Sequence, residues 1–143
     1  MKKTVLSSGG VIVRKVNEKW EFLILRSFSF WDFPKGINNP GEDPWEGALR
    51  EIQEETGLRN LTDSWKRSFY ETKPYGKGKV ARYYILEINP DQKVALLPNP
   101  ENGIVEHHEY RWLPYHSARS LLKPRIQEVL DWAKETINLF IKE

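Results

Sequence analysis

The chain has no cysteine, which excludes disulfide bridges and thiolate metal centres and agrees with a reducing compartment. It also has no apolar run of membrane-spanning length, so no membrane partner is expected. The N-terminal stretch MKKTVLSSGGVIVRK carries early lysines, but its apolar run is broken from Ser7 to Gly10 and ended by Arg14, unlike a secretory leader. An excess of one charge is missing too: 22 basic against 20 acidic side chains leave a net +2, too little by itself to mark a nucleic-acid binder. No repeat, low-complexity tract or linker interrupts the 143 residues. The expectation is a soluble, cytoplasmic, monomeric protein with one domain over 1–143, large enough to bury a core without staples.

What the chain does have is concentrated between Gly36 and Leu58, which reads GINNPGEDPWEGALREIQEETGL. Its fixed positions run Gly-x5-Glu-x7-Arg-Glu-Ile-x-Glu-Glu-x-Gly-Leu. Seven of them (Gly36, Glu42, Arg50, Glu51, Glu54, Glu55 and Gly57) demand one residue type, and a random window meets them on the order of once in 10^8.

Local physics gives the stretch a shape. Asp43 is a helix N-cap, Pro44 suits the first helical position and Glu46 completes a capping box. Gly57 suits the left-handed C-terminal cap, so the helix should run from Pro44 to about Thr56. At about 100° per residue, Trp45, Leu49, Ile52 and Thr56 share one stripe, while Glu51, Glu54 and Glu55 share another. The glutamates read either as a solvated face or as a site. Like charges four apart, such as Glu51 and Glu55, weaken a helix by a few tenths of a kcal/mol, and Arg50 offsets this only for Glu54. Carboxylates gathered on one rigid face are what a hard divalent cation requires. Gly47 lies on the same face, where a missing side chain lets the preceding loop or a substrate approach.

The stretch resembles the signature box of the Nudix hydrolases at every fixed position. The resemblance implies a Mg2+-dependent enzyme, with Mn2+ able to substitute, that hydrolyses a nucleoside diphosphate linked to another group. It implies Glu51, Glu54 and Glu55 as metal ligands, joined by the Gly36 carbonyl, with Arg50 orienting a neighbouring carboxylate and Glu42 supporting the loop. It also implies an α/β fold: the α/β/α sandwich, a mixed β-sheet between helices. A Nudix-fold module that binds a nucleotide without cleaving it would be expected to lose box glutamates, and here none is missing.

Outside the box, β-branched and aromatic residues predict strands at Thr4–Ser7, Gly10–Val16 and Trp20–Arg26, the latter two joined by an Asn17-Glu18-Lys19 turn. Ser27–Pro40 reads as a loop. Further strands are expected at Lys66–Glu71, Lys79–Ile88, Val94–Leu97 and Tyr110–Leu113, with a turn at Asn89-Pro90-Asp91. A short helix over Ser117–Leu122 precedes one opened by Pro124 and reaching about Ile141. Its apolar stripe of Ile126, Val129, Leu130, Ala133, Ile137 and Phe140 should seal the sheet.

Two flanking segments bear on the substrate. Trp31-Asp32-Phe33-Pro34-Lys35-Gly36 is similar to the W-x-x-P-K-G lead of asymmetrical diadenosine tetraphosphate hydrolases. Glu106-His107-His108-Glu109-Tyr110-Arg111-Trp112-Leu113 is similar to their E-H-x-x-Y-R-W-L segment, and Lys79–Ile88 resembles their K-x-x-x-Y strand. Carried over by position, Lys35 and Lys79 would bind phosphates, and Tyr83 or Tyr75 would stack on adenine. Glu106, with Glu109 as rival, would be a further metal ligand or the general base. His107 is a candidate contact, whereas His108 and His116 read as surface groups. Tyr110 fits a second nucleoside or a packed strand equally. Lys73, Lys77, Lys79 and Arg82, interleaved with Tyr75, Tyr83 and Tyr84, read as a polyphosphate-and-base surface or as a solvated hairpin. Ser29 and Phe30 stand where the animal tetraphosphate hydrolases carry histidines. Phe33 also resembles the W-x-F-P-x-G lead of bacterial RNA pyrophosphohydrolases, which act on an RNA 5′ end, although those usually have Gln at the place of Lys35. The resemblance favours hydrolysis of diadenosine tetraphosphate to ATP and AMP over pyrophosphate release from RNA or action on another nucleotide.

Overall fold

The computed structural model describes residues 4–141. Strand β1 (Val5–Val16) is the spine of a mixed sheet. It pairs in parallel with β6 (Lys79–Glu87) from Val5↔Lys79 to Val13↔Glu87. On its other edge it meets two partners in turn, both antiparallel. Its upper half pairs with β2 (Lys19–Ser27), and its lower half pairs with β4 (Lys35–Ile37) as Ser7↔Ile37, Ser8↔Gly36 and Gly9↔Lys35. Beyond Phe22, β2 leaves β1 and lies between β3 (Phe30–Asp32) and β7 (Glu109–Leu113). The edge strand β5 (Phe69–Glu71) completes the sheet against β6.

Helices cover both faces, which is why the central strands are apolar at nearly every position rather than alternating. Val11, Val13, Phe22, Ile24, Ala81, Tyr83 and Ile85 point to one face, where α2 (Tyr115–Leu121) and α3 (Pro124–Ile141) close the core through Ala118, Ile126, Val129, Leu130, Ala133 and Ile137. Ile12, Leu23, Leu25, Tyr84 and Leu86 point to the other, against Trp45, Ala48 and Ile52 of α1 (Pro44–Thr56). This is the expected helix–sheet–helix sandwich. The side chain of Phe140 lies outside the described residues.

Several local expectations are corrected. Ser7–Gly10 does not interrupt β1. A β-carbon on Gly9 would strike the Pro34 carbonyl, and one on Gly10 would press on Ile52 and Leu86, so these glycines let neighbours close in rather than end the strand. Ser27–Pro40 contains β3, which folds straight back on β2 across Phe28-Ser29, and β4, whose ladder partner at Ser7–Gly9 of β1 lies far back in the sequence. Lys66 and Arg67 have φ of 54° and 58° and belong to a turn, leaving only Phe69–Glu71 as strand. Val94–Leu97 joins no sheet among the described residues. Its Ala95 and Leu97 N–H groups donate to the Thr56 and Glu55 carbonyls at 2.9 and 3.2 Å, satisfying acceptors that the last turn of α1 leaves open.

Candidate active site

Helix α1 forms as its sequence dictates. Asp43 accepts from the Trp45 and Glu46 N–H groups at 3.0 and 3.3 Å, and Gly57 closes the helix at φ 74°. No reciprocal bond from the exposed Glu46 side chain to Asp43 is present among the described residues, so only half of the capping box forms. With Trp45, Ile52 and Thr56 buried, the opposite face turns Glu51, Glu54 and Glu55 toward β4. Gly47 faces the preceding loop: a β-carbon there would meet Asn38 Oδ1 at 2.6 Å.

These residues wall a cleft of about 470 Å3, which brings together Lys35, Gly36, Arg50, Glu51, Glu54, Glu55 and Glu106 from three chain segments. Arg50 holds it in shape with all five of its N–H donors. Nε and Nη2 grip the two Glu42 oxygens at 2.8 and 3.0 Å, and Nη2 also donates to the Ile37 carbonyl at 3.1 Å. Nη1 reaches Glu51 at 2.7 Å and Glu54 at 3.0 Å. Glu42 also accepts from the Asn39 N–H at 2.9 Å, and the Arg50 guanidinium holds its carboxyl below the usual range. Among the described residues Glu55 has no such partner and accepts only the Lys35 backbone N–H, at 3.1 Å; burial, followed by the Glu51 charge, pushes its carboxyl well up. Burial raises Glu51 too, against the opposing pull of Arg50.

Five carboxylates, including Glu101, line the cleft against the two cations Lys35 and Arg50. All the acidic donors are hard oxygens, the set a divalent Mg2+ or Mn2+ accepts. Among the described residues, no three acidic or imidazole groups already converge as a closed coordination shell, because Arg50 draws Glu51 and Glu54 to itself.

The residues expected outside the box divide. Glu106 reaches the cleft, whereas its rival Glu109 lies in β7, paired with Arg111 at 2.6 Å and Arg26 at 3.1 Å. His107 borders an adjoining recess beside Glu51, Glu54, Glu55 and Glu106, and burial lowers its imidazole pKa. Tyr83 corrects the stacking expectation. It is 0% exposed, its ring packs edge-on against Phe33, and its hydroxyl donates to Asp32 at 3.1 Å, so no face is open to a base. Tyr75 is half-buried, with the Arg125 guanidinium 3.9 Å over its ring. Lys79 and Tyr110 lie outside the cleft lining. Lys79 stands four residues up β6 from Tyr83, roughly 13 Å of strand. Arg82 leaves the basic run to pair with Glu71 at 3.0 Å.

The sequence reading gave no role to Asp32 or Asn99. Asp32 accepts from Phe33 N–H and Tyr83 Oη and lies 3.7 Å from Lys35 Nζ. Asn99 lines the cleft. The turn formers around it, Pro98-Asn99-Pro100 and Asn102-Gly103, signal a loop but not where the loop lies.

Fold and cleft together define a Nudix hydrolase, and the chain belongs to that family, whose NUDIX domain matches residues 6–133. It is 35% identical over 122 residues to the asymmetrical bis(5′-nucleosyl)-tetraphosphatase of Caenorhabditis elegans, covering 80% of this chain and 82% of that one. It is 27% identical over 120 residues to an RNA pyrophosphohydrolase of a Nitratiruptor species, covering 73% and 74%. The crystal structure of a C. elegans Ap4A hydrolase binary complex superposes with a TM-score of 0.76 at 28% identity, over 97% of this chain and 98% of that one.

Proposed function

We propose that this enzyme hydrolyses diadenosine tetraphosphate asymmetrically, giving ATP and AMP, with Mg2+ held by Glu51, Glu54 and Glu55 and by the Gly36 carbonyl, and with Glu106 as the general base rather than a further ligand. The observation that carries the reading is the excess of carboxylates in the cleft beside Lys35. A polyphosphate is repelled from such a cleft unless divalent cations enter with it. The support for the dinucleotide is the 35% identity to the C. elegans tetraphosphatase.

When bound, Mg2+ neutralises phosphate charge and makes water a better nucleophile. The chain's own residues do the rest. Lys35 draws the polyphosphate to the cleft mouth, and Arg50 fixes the directions of Glu51 and Glu54. Glu106 accepts the proton of a water whose oxygen forms the new bond to phosphorus, and the bridging P–O bond breaks toward the leaving nucleotide. His107 and Tyr75 contact substrate beyond the reacting phosphate. Lys79 and Tyr110 would be reached only by its far end.

The test is chromatographic: diadenosine tetraphosphate and triphosphorylated RNA at matched concentration, each with Mg2+. Equimolar ATP and AMP, with slow pyrophosphate release from RNA, is the expected result. The second reading, removal of pyrophosphate from an RNA 5′ end, has the 27% identity to an RNA pyrophosphohydrolase in its favour. Preferential pyrophosphate release would establish it and leave the cleft chemistry standing.

A further inference from the structure

Glu106 reaches the cleft from a segment with no regular secondary structure, so something other than a helix or strand must fix its direction. The segment leaves α1 at Leu97, whose N–H is tied to the Glu55 carbonyl at 3.2 Å. It then folds back on itself around Asn99. The Asn99 N–H donates to the Ile104 carbonyl at 2.8 Å, and its own carbonyl accepts from Gly103 at 2.8 Å. The side-chain oxygen accepts from the Glu101 N–H at 2.8 Å. The remaining group, the Nδ2 amide, donates to Glu106 Oε1 at 2.9 Å. Gly103 sits at φ 72°, the left-handed turn that closes the loop and that glycine adopts most cheaply. Two carboxylates of this loop, Glu101 and Glu106, line the cleft, and Asn99 donates its amide to only one of them.

We propose that Asn99 is a positioning residue for the hydrolysis. Its side-chain amide holds one oxygen of Glu106 and leaves the other facing the cleft, so that Glu106 rather than Glu101 serves the reaction. The inference rests on the role of Glu106 given above. A neutral amide donor suits the task, because it fixes a carboxylate without adding a second cation beside it, and a bond to a charged acceptor is among the stronger hydrogen bonds.

Two substitutions separate orientation from loop folding. Asn99→Asp keeps the oxygen that accepts from Glu101 N–H and the shape of the residue but loses the donor. Asn99→Ala loses both. Each is made alone and combined with Glu106→Gln, and kcat, KM and the unfolding midpoint are measured with Mg2+ on whichever of the two substrates turns over. Both single variants are expected to lower kcat by at least about 10-fold with little change in KM. Added to Glu106→Gln, Asn99→Ala should lower kcat no further, because a residue acting only through Glu106 has nothing left to orient. A wild-type rate in Asn99→Asp with a loss confined to Asn99→Ala would overturn the inference and leave Asn99 a loop-folding residue. So would equal losses from Asn99→Ala with and without Glu106→Gln. If Glu106→Gln alone keeps the full rate, the role of Glu106 falls, and this inference falls with it. A slow Glu106→Gln beside a normal Asn99→Asp removes the inference only.

Discussion

The carboxylate of Glu51 lies against the α-carbon of Gly36, in the space that a β-carbon there would fill. The strand and the helix therefore meet across a glycine on one side and a flexible acidic side chain on the other. Gly36→Ala should expel the carboxylate, not the backbone. It is expected to lower kcat/KM at least about 100-fold while moving the thermal midpoint by only a few degrees. Kinetics and a melting curve on the same preparation check this, and an unchanged kcat/KM would remove Glu51 from the machinery.

Arg50→Lys tests whether one positive charge suffices. A single ammonium cannot span Glu42, Glu51, Glu54 and the Ile37 carbonyl as the planar guanidinium does. The variant should lose about 1–2 kcal/mol of stability in urea unfolding and about 100-fold in kcat. Full activity would show that charge, not the fork, is what the cleft needs.

Glu55→Gln removes a buried charge of the cleft that the neighbouring Glu51 repels. In the absence of divalent ions the variant should melt at or above the wild-type temperature at pH 8, because the repulsion between Glu51 and Glu55 is gone. Added Mg2+ should raise the melting temperature of the wild type and hardly move that of the variant, since only a ligand bound to the native state stabilises it. Turnover should be lost. Equal Mg2+ shifts in both proteins would place the metal elsewhere.

Asp131 gives a pH signature remote from the cleft. It accepts from Arg119 at 2.9 and 3.1 Å and from Tyr115 Oη at 2.6 Å, tying α2 to α3, and the Arg119 bond holds its carboxyl below the ordinary value of 3.8. With a folded value below the unfolded one, its contribution is present above pH 3.8 and disappears as the pH falls through the folded value. The stability difference between wild type and Asp131→Asn should therefore be constant from pH 7 to about 5 and shrink in stronger acid. Both partners are more than a third exposed, so the difference should be small and weaken in salt. A difference as large in strong acid as at pH 7 would sink the assignment.

Helix α1 and helix α3 were legible because a helix's bonds, caps and apolar stripe all lie within a few residues of one another. Pro44 and Gly57 bound one of them as expected, and Pro124 opens the other. β3 and β4 were not legible. Each is three residues long; β3 turns back on β2 through Phe28-Ser29, which carries none of the Asn-Gly or Asp-Gly signal of a tight hairpin, and β4 is a strand only because Ser7–Gly9 of β1 lies beside it, which local pattern cannot report. Val94–Leu97 misled for the converse reason. Its apolar run looks like a strand, but its N–H groups are taken by the end of α1.

The sequence by itself determined the helix, the grouping of Glu51, Glu54 and Glu55 on one of its faces, and the glycine cap at position 57, because all of these follow from helical spacing and backbone conformation. Only the tertiary structure decided which distant groups join them. It brought Glu106 to the cleft and left Glu109 in β7, buried Tyr83 against Phe33, and set Asn99 behind Glu106. Those outcomes depend on how the chain folds back over α1 and on which face of β6 meets α3, and such long-range packing leaves no periodic trace along the chain.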